Sequence, residues 1–114
     1  MAIERHGTTQ RYSDICAYGD TIYLVESPRT LDSNVATQTH EVLAGIDQLL
    51  RQAGSDKSRL LMVTIYLRDI EDSVAVNAVW DRWVPQGTAP VRICVEARLA
   101  HHDFLLEVAV VAAR

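Results

Sequence analysis

The C-terminal stretch PVRICVEARLAHHDFLLEVAVVA, beginning at Pro90, carries two charges where apolar strands should have none. Arg92 lies between Val91 and Ile93, and Glu107 between Leu106 and Val108. Burying either charge is costly unless it is paired or hydrogen-bonded. Arg92 has two readings. It is half of an ion pair, with Glu96 or a subunit neighbour, or it is an anion site whose planar guanidinium grips a carboxylate through two parallel hydrogen bonds. Glu107 is either a paired buried carboxylate or a base that orients water. Desolvation would raise its pKa and a nearby arginine would lower it.

Other residue types with chemical capacity are less pointed. His101-His102-Asp103 contains metal-ligating side chains, but adjacent turn residues seldom converge on one ion, so no metal is expected. Cys94 as a nucleophile would need a histidine beside it, and nothing in the sequence places one there. Cys16 and Cys94 are too few for a disulfide framework and lack metal spacing. His40 reads as a surface or interface residue, and Trp80 and Trp83 as helix core.

The elements that position these residues follow from periodicity. Residues 2–7 read as an edge strand. Residues 11–18 and 21–27 flank Gly19-Asp20, a two-residue hairpin turn. Residues 33–53 form a helix capped by Asp32 or Ser33, with Val35, Thr39, Val42, Leu43, Ile46, Leu49 and Leu50 on one stripe and Gly54 as its stop. Residues 60–68 form a buried strand. Asp69 caps a second helix that runs to Val84. The order is β-β-β-α-β-α-β-β with a hairpin at each end. This is an α+β class: a mixed sheet with two helices on one face. The other sheet face is then apolar and calls for association between copies.

In an extended strand alternate residues share a face. Arg92, Cys94, Glu96 and Arg98 form a polar stripe, while Val91, Ile93, Val95, Ala97 and Leu99 read as core. The stripe would lie beside the chain's most apolar strand, which carries Glu107.

Composition bounds the function. The 114 residues predict one compact domain over 1–114, and 48% apolar content suffices for a core. A net charge of -4 without a Lys/Arg run gives no phosphate track, so no nucleic-acid partner is expected. No apolar stretch reaches bilayer length, and MAIERHGTTQ has no signal-peptide core, so the expected setting is cytoplasmic, without membrane contact.

The segment APVRICVEARL followed by EVAVVAA resembles the C-terminal signature of the Rid family, the reactive intermediate deaminases or YjgF-type proteins. The resemblance extends over nearly the whole chain through the element order, the Tyr12 region, the asparagine of VAVNAVWDRW and the length. Within the family it is most like the short YoaB-like group. The resemblance implies a chorismate-mutase-like fold, a homotrimer with three clefts between subunits, and hydrolysis of 2-imino or 2-enamino acids to 2-keto acids and ammonia without a cofactor. By position it implies that Arg92 binds the substrate carboxylate and that Glu107 orients or activates water. It also implies that Cys94 lines the pocket, that Tyr12 sits at the cleft mouth and that Asn77 lies near it.

One departure stands out. Family members commonly carry Ser-Gly or Thr-Gly at the end of the third strand, where this chain has Val25-Glu26. Glu26 either pairs with Arg92 and plugs the anion site or selects a cationic or amino-bearing substrate. The alternative to an enzyme is therefore a non-catalytic trimer that binds a carboxylate metabolite or another protein. A different reaction on the same fold, such as a mutase, has no specific residue in its favour.

Overall fold

The computed structural model describes all 114 residues. Its strands are β1 (Ile3–His6), β2 (Ile15–Tyr18), β3 (Thr21–Glu26), β4 (Leu60–Leu67), β5 (Val91–Glu96) and β6 (Leu106–Ala113), and its helices are α1 (Val35–Gln52) and α2 (Ser73–Trp83). The element order is the expected one, and Tyr18 pairs with Thr21 across the Gly19-Asp20 turn.

Helix boundaries differ from the sequence expectation by local capping. Asn34, rather than Asp32 or Ser33, caps α1 by accepting the Thr37 N–H at 2.9 Å. The Ser33 hydroxyl is turned back to the Thr30 carbonyl. The C-terminus closes as expected at Gly54 (φ +82°). Its N–H reaches the Arg51 carbonyl and the Ser55 N–H reaches that of Leu50, a Schellman arrangement that needs the left-handed glycine. Asp69 caps a 3₁₀ turn, Ile70–Asp72, and α2 proper starts only at Ser73. No helix is long and apolar enough to cross a membrane.

The sheet order is β1-β2-β3-β6-β4-β5. All neighbours are antiparallel except β4 and β5, which run parallel and are joined through α2. The expected C-terminal hairpin is therefore absent. β6 runs between β3 and β4, and β5 is an edge strand separated from it by β4. A strand apolar on both faces gains most in the centre, with neighbours on each side. β5 carries the charges and tolerates the edge.

Both helices pack on one face of the sheet. Ile22, Ile46, Leu50, Ile65, Leu67 and Leu106 are among the side chains fully buried there. The opposite face is open and apolar, as expected, with Tyr23, Val25 and Tyr66 exposed. A shallow groove of about 270 Å³ on it is lined by Tyr23, Val25, Met62, Thr64, Ala109 and Val111.

The two faces of β5 are the reverse of the expectation. Val91 and Ile93 are 68% and 49% exposed on the open face, whereas Arg92 and Cys94 point toward the helices. Register with β4 decides this. Arg92 is opposite Val63 and Cys94 opposite Ile65, both buried beneath the helices. Apolarity cannot identify the helix-covered face when both faces are apolar.

Candidate functional site

Arg92 extends from the edge strand into the space under α2. Its Nη2 donates to Asn77 Oδ1 at 2.9 Å, and its guanidinium carbon sits 5.1 Å from the centre of the Trp80 ring. Asn77 and Trp80 are three residues apart on α2, which puts them on one side of the helix. The second terminal nitrogen, Nη1, is buried and has no hydrogen-bond partner in the chain. No carboxylate forms a salt bridge with Arg92: Arg114 pairs with Glu4, and His102 lies 3.5 Å from Asp103. Glu96 instead accepts the Ile70 N–H at 3.1 Å, so the intrachain ion-pair reading of Arg92 does not hold. The partly buried guanidinium therefore keeps one buried N–H donor without an acceptor in the chain.

Cys94 follows on the same face and packs against the core. Burial pushes its thiol up, and the Arg92 charge opposes this only in part. That environment stabilises a neutral thiol and not a nucleophilic thiolate.

Glu107 is elsewhere. It lies opposite Tyr66 on β4, and Arg92 lies opposite Val63. Because neighbouring β4 residues alternate faces, Glu107 opens onto the uncovered face and Arg92 onto the helix face. Its Oε1 accepts the Ala100 N–H at 3.3 Å. It lines a groove of about 370 Å³ with Val25, Tyr66, Arg98 and Leu99. A single chain therefore does not bring Arg92 and Glu107 into one cavity.

Glu26 is also apart from Arg92 within the chain. β6 and β4 separate their strands, so the two do not meet within one chain, where Arg92 is held by Asn77. Glu26 lies opposite Val108 on the helix face and turns toward α1. Its Oε1 accepts the Ser27 N–H at 3.2 Å, and its Oε2 occupies the space that a side chain at Gly45 would fill. Half-buried there, its carboxyl is pushed above the ordinary glutamate range by desolvation. The Ser27 N–H and the Arg29 charge pull it down, and Asp14 adds to the rise.

Tyr12 was expected in a strand over 11–18, but β2 begins only at Ile15. Thr9 folds the preceding segment into a turn, donating its N–H to the Tyr12 carbonyl at 2.7 Å. Tyr12 is 63% exposed, in the connection between β1 and β2, the two strands farthest from β5. Thus Arg92, Asn77 and Cys94 come together in one chain, while Glu107, Glu26 and Tyr12 lie outside that cluster. Trp80 was read only as core. It is 6% exposed, so that holds, but it also forms the floor under Arg92. Its spacing, one turn after Asn77, is the one sequence signal that could have found it, and it does not separate a platform from core.

At the tip before β6, the donor atoms of His101, His102 and Asp103 lie within 4.8 Å of one another, closer than expected for adjacent turn residues. His101 Nδ1 is already engaged by the Asp103 N–H at 3.1 Å.

The family model described as Endoribonuclease L-PSP matches residues 3–114. The chain is 41% identical over 113 residues to the RutC family protein YoaB of Escherichia coli K12, covering 99% of each. It is 35% identical over 101 residues to the 3-aminoacrylate deaminase RutC of Acinetobacter baylyi, covering 82% of this chain and 79% of that one. Among solved structures, a YjgF-family protein from Neisseria meningitidis superposes with a TM-score of 0.96 at 43% identity, covering 100% of this chain and 96% of the other. The six-stranded mixed sheet with two helices is the chorismate-mutase-like fold of these proteins.

Proposed function

Because the chain belongs to the Endoribonuclease L-PSP family, which includes the YjgF and RutC proteins, we propose that it hydrolyses 2-imino or 2-enamino acids to 2-keto acids and ammonia. The observation that carries this reading is the buried, unpartnered Nη1 of Arg92. A substrate carboxylate supplies the missing acceptor, and charge-assisted pairing there is stronger than a neutral contact. The relative described as a 3-aminoacrylate deaminase supports the same substrate class.

The chemistry asks little of the protein. A protonated imine is already electrophilic at C2. Glu107, hydrogen-bonded in the chain only by the Ala100 N–H, accepts a proton as water adds to C2. That proton then passes to the amine nitrogen of the carbinolamine. The C–N bond then breaks as Glu107 takes the hydroxyl proton, so that ammonia leaves and the new oxygen becomes the keto group. Holding substrate beside one water supplies much of the acceleration. Neither a protein nucleophile nor a cofactor enters these steps.

The reading requires more than one chain, since Arg92 and Glu107 open onto opposite faces of a single sheet. We place the site in clefts of a homotrimer, in which one copy's Arg92 meets the Glu107 groove of the next. The open apolar face, with Tyr23, Val25, Val91 and Ile93 exposed, supports association. In such a cleft Tyr12, which is exposed and far from Arg92 in its own chain, reaches substrate from the neighbour. The setting we propose is the reducing cytoplasm, where Cys16 and Cys94 stay free.

An amino-acid oxidase generates imines in situ, and keto-acid formation reports their hydrolysis. The expected result is acceleration over buffer that Arg92→Ala abolishes. No acceleration with aliphatic, aromatic or basic imines would reject the enzyme. If keto acids nevertheless raised the melting temperature, the non-catalytic binding module would replace it.

A further inference from the structure

We infer that Trp80 is a positioning residue for Arg92, its indole face holding the guanidinium aimed so that the edge carrying Nη1 stays free for a carboxylate. The inference rests on the reading of Arg92 as the carboxylate anchor.

A long arginine side chain ordinarily carries its head to water when it lacks a counter-charge. Arg92 has no counter-charge in the chain, yet its Nη1 is buried. Two contacts hold it. Asn77 accepts one N–H, which satisfies Nη2 but supplies no negative charge. Trp80 lies 5.1 Å away, within the range in which a ring face attracts a cation. The two contacts act in different directions. Guanidinium N–H groups point outward in their own plane, and a ring below that group does not compete for them. A carboxylate partner would have neutralised the charge and occupied the donors. An aromatic ring stabilises the charge and leaves the donors open.

Trp80 is itself fixed. It is 6% exposed, and its ring lies 5.4 Å from that of Trp83. The Trp83 indole N–H donates to Asp47 Oδ2 on α1 at 2.9 Å. The platform is therefore braced against the other helix, which restricts where the guanidinium rests.

The test is calorimetric titration with pyruvate of the wild type and of Trp80→Leu, Trp80→Phe and Arg92→Ala, with melting curves for each. Trp80→Leu is expected to weaken binding about tenfold, equivalent to about 1.4 kcal/mol. Trp80→Phe, which keeps a ring face, should stay within about threefold of wild type. In turnover the loss should fall on KM and not on kcat. Trp83→Phe leaves Trp80 as the sole tryptophan, and its emission should change with pyruvate along the calorimetric curve. This readout decides the matter if Trp80→Leu does not fold. Wild-type affinity in folded Trp80→Leu, or flat Trp80 emission while calorimetry records binding, would overturn the inference. Undiminished binding by Arg92→Ala, or no binding by the wild type, would instead remove the anchor and the inference with it.

Discussion

Arg92 Nη2 donates to Asn77 Oδ1 at 2.9 Å across the β5–α2 interface, and the same guanidinium leaves Nη1 buried without an acceptor. The pair orients the cation but does not neutralise it. If Arg92 anchors substrate as proposed, function and stability are set against each other at this residue.

Arg92→Leu should separate them. An apolar side chain at this position removes a charge that has no counter-charge in the chain, a change that is often neutral or stabilising. The variant should melt at or above the wild-type temperature, while kcat/KM for imine hydrolysis falls by about 100-fold or more. A large drop in melting temperature would mean that Arg92 serves the fold instead.

Asn77→Ala acts on the other half of the pair. It leaves Nη2 without its acceptor, and the expected loss is about 1–3 kcal/mol in denaturant unfolding, with KM raised. Asn77→Asp should restore stability but inhibit, because its carboxylate would neutralise the charge that substrate requires.

Gly45 and Glu26 form a second coupled pair. A glycine inside a helix costs about 1 kcal/mol relative to alanine, so Gly→Ala normally stabilises. Here the added methyl meets Glu26 Oε2, and Gly45→Ala should destabilise. In a Glu26→Ala background the same change should stabilise. A sign reversal in this double-mutant cycle is the expected result.

The Glu26 carboxyl also predicts a pH dependence. Its folded pKa is raised by desolvation, so the folded state holds its proton more tightly than the unfolded chain. The stability this contributes is complete below the ordinary glutamate range and is lost as pH rises through the folded value. Glu26→Gln should therefore show a smaller decline in stability over that interval, with the two proteins converging at the acidic end. Chemical unfolding at a series of pH values measures the gap.

An open-face charge tests the association. Ile93→Asp puts a carboxylate on the exposed face of the edge strand, away from Arg92. It should keep the helical circular dichroism, reduce the mass in solution from about three times 12.7 kDa to that of one chain, and abolish turnover.

Much of the fold was legible because it is written locally. The Gly19-Asp20 turn, the α1 stripe and the Gly54 stop each depend on a few adjacent residues. Non-local choices were not legible. Nothing within β5 or β6 says that β4 will lie between them, so the C-terminal hairpin expectation failed. That error carried over to the site, since it placed Arg92 and Glu107 side by side. The facing of Arg92 was misread for a related reason: Val91 and Ile93 look like core because their face is apolar. Arg92 itself was legible from its mismatch with its surroundings, as a charge in an apolar run. Trp80 was not, because a tryptophan on a helix fits the core equally well.

The claim on which the rest depends is that one active site draws Arg92 and Glu107 from different chains. Complementation tests it most directly. Arg92→Ala and Glu107→Gln proteins, each inactive alone, are unfolded together in equal amounts, refolded, and assayed with an in-situ imine, with native mass spectrometry confirming mixed trimers. Random assembly gives each cleft about one chance in four of receiving an intact Arg92 and an intact Glu107, so about a quarter of wild-type activity should return. Mixed trimers that remain inactive would contradict the account, because sites contained within one chain cannot be rescued this way.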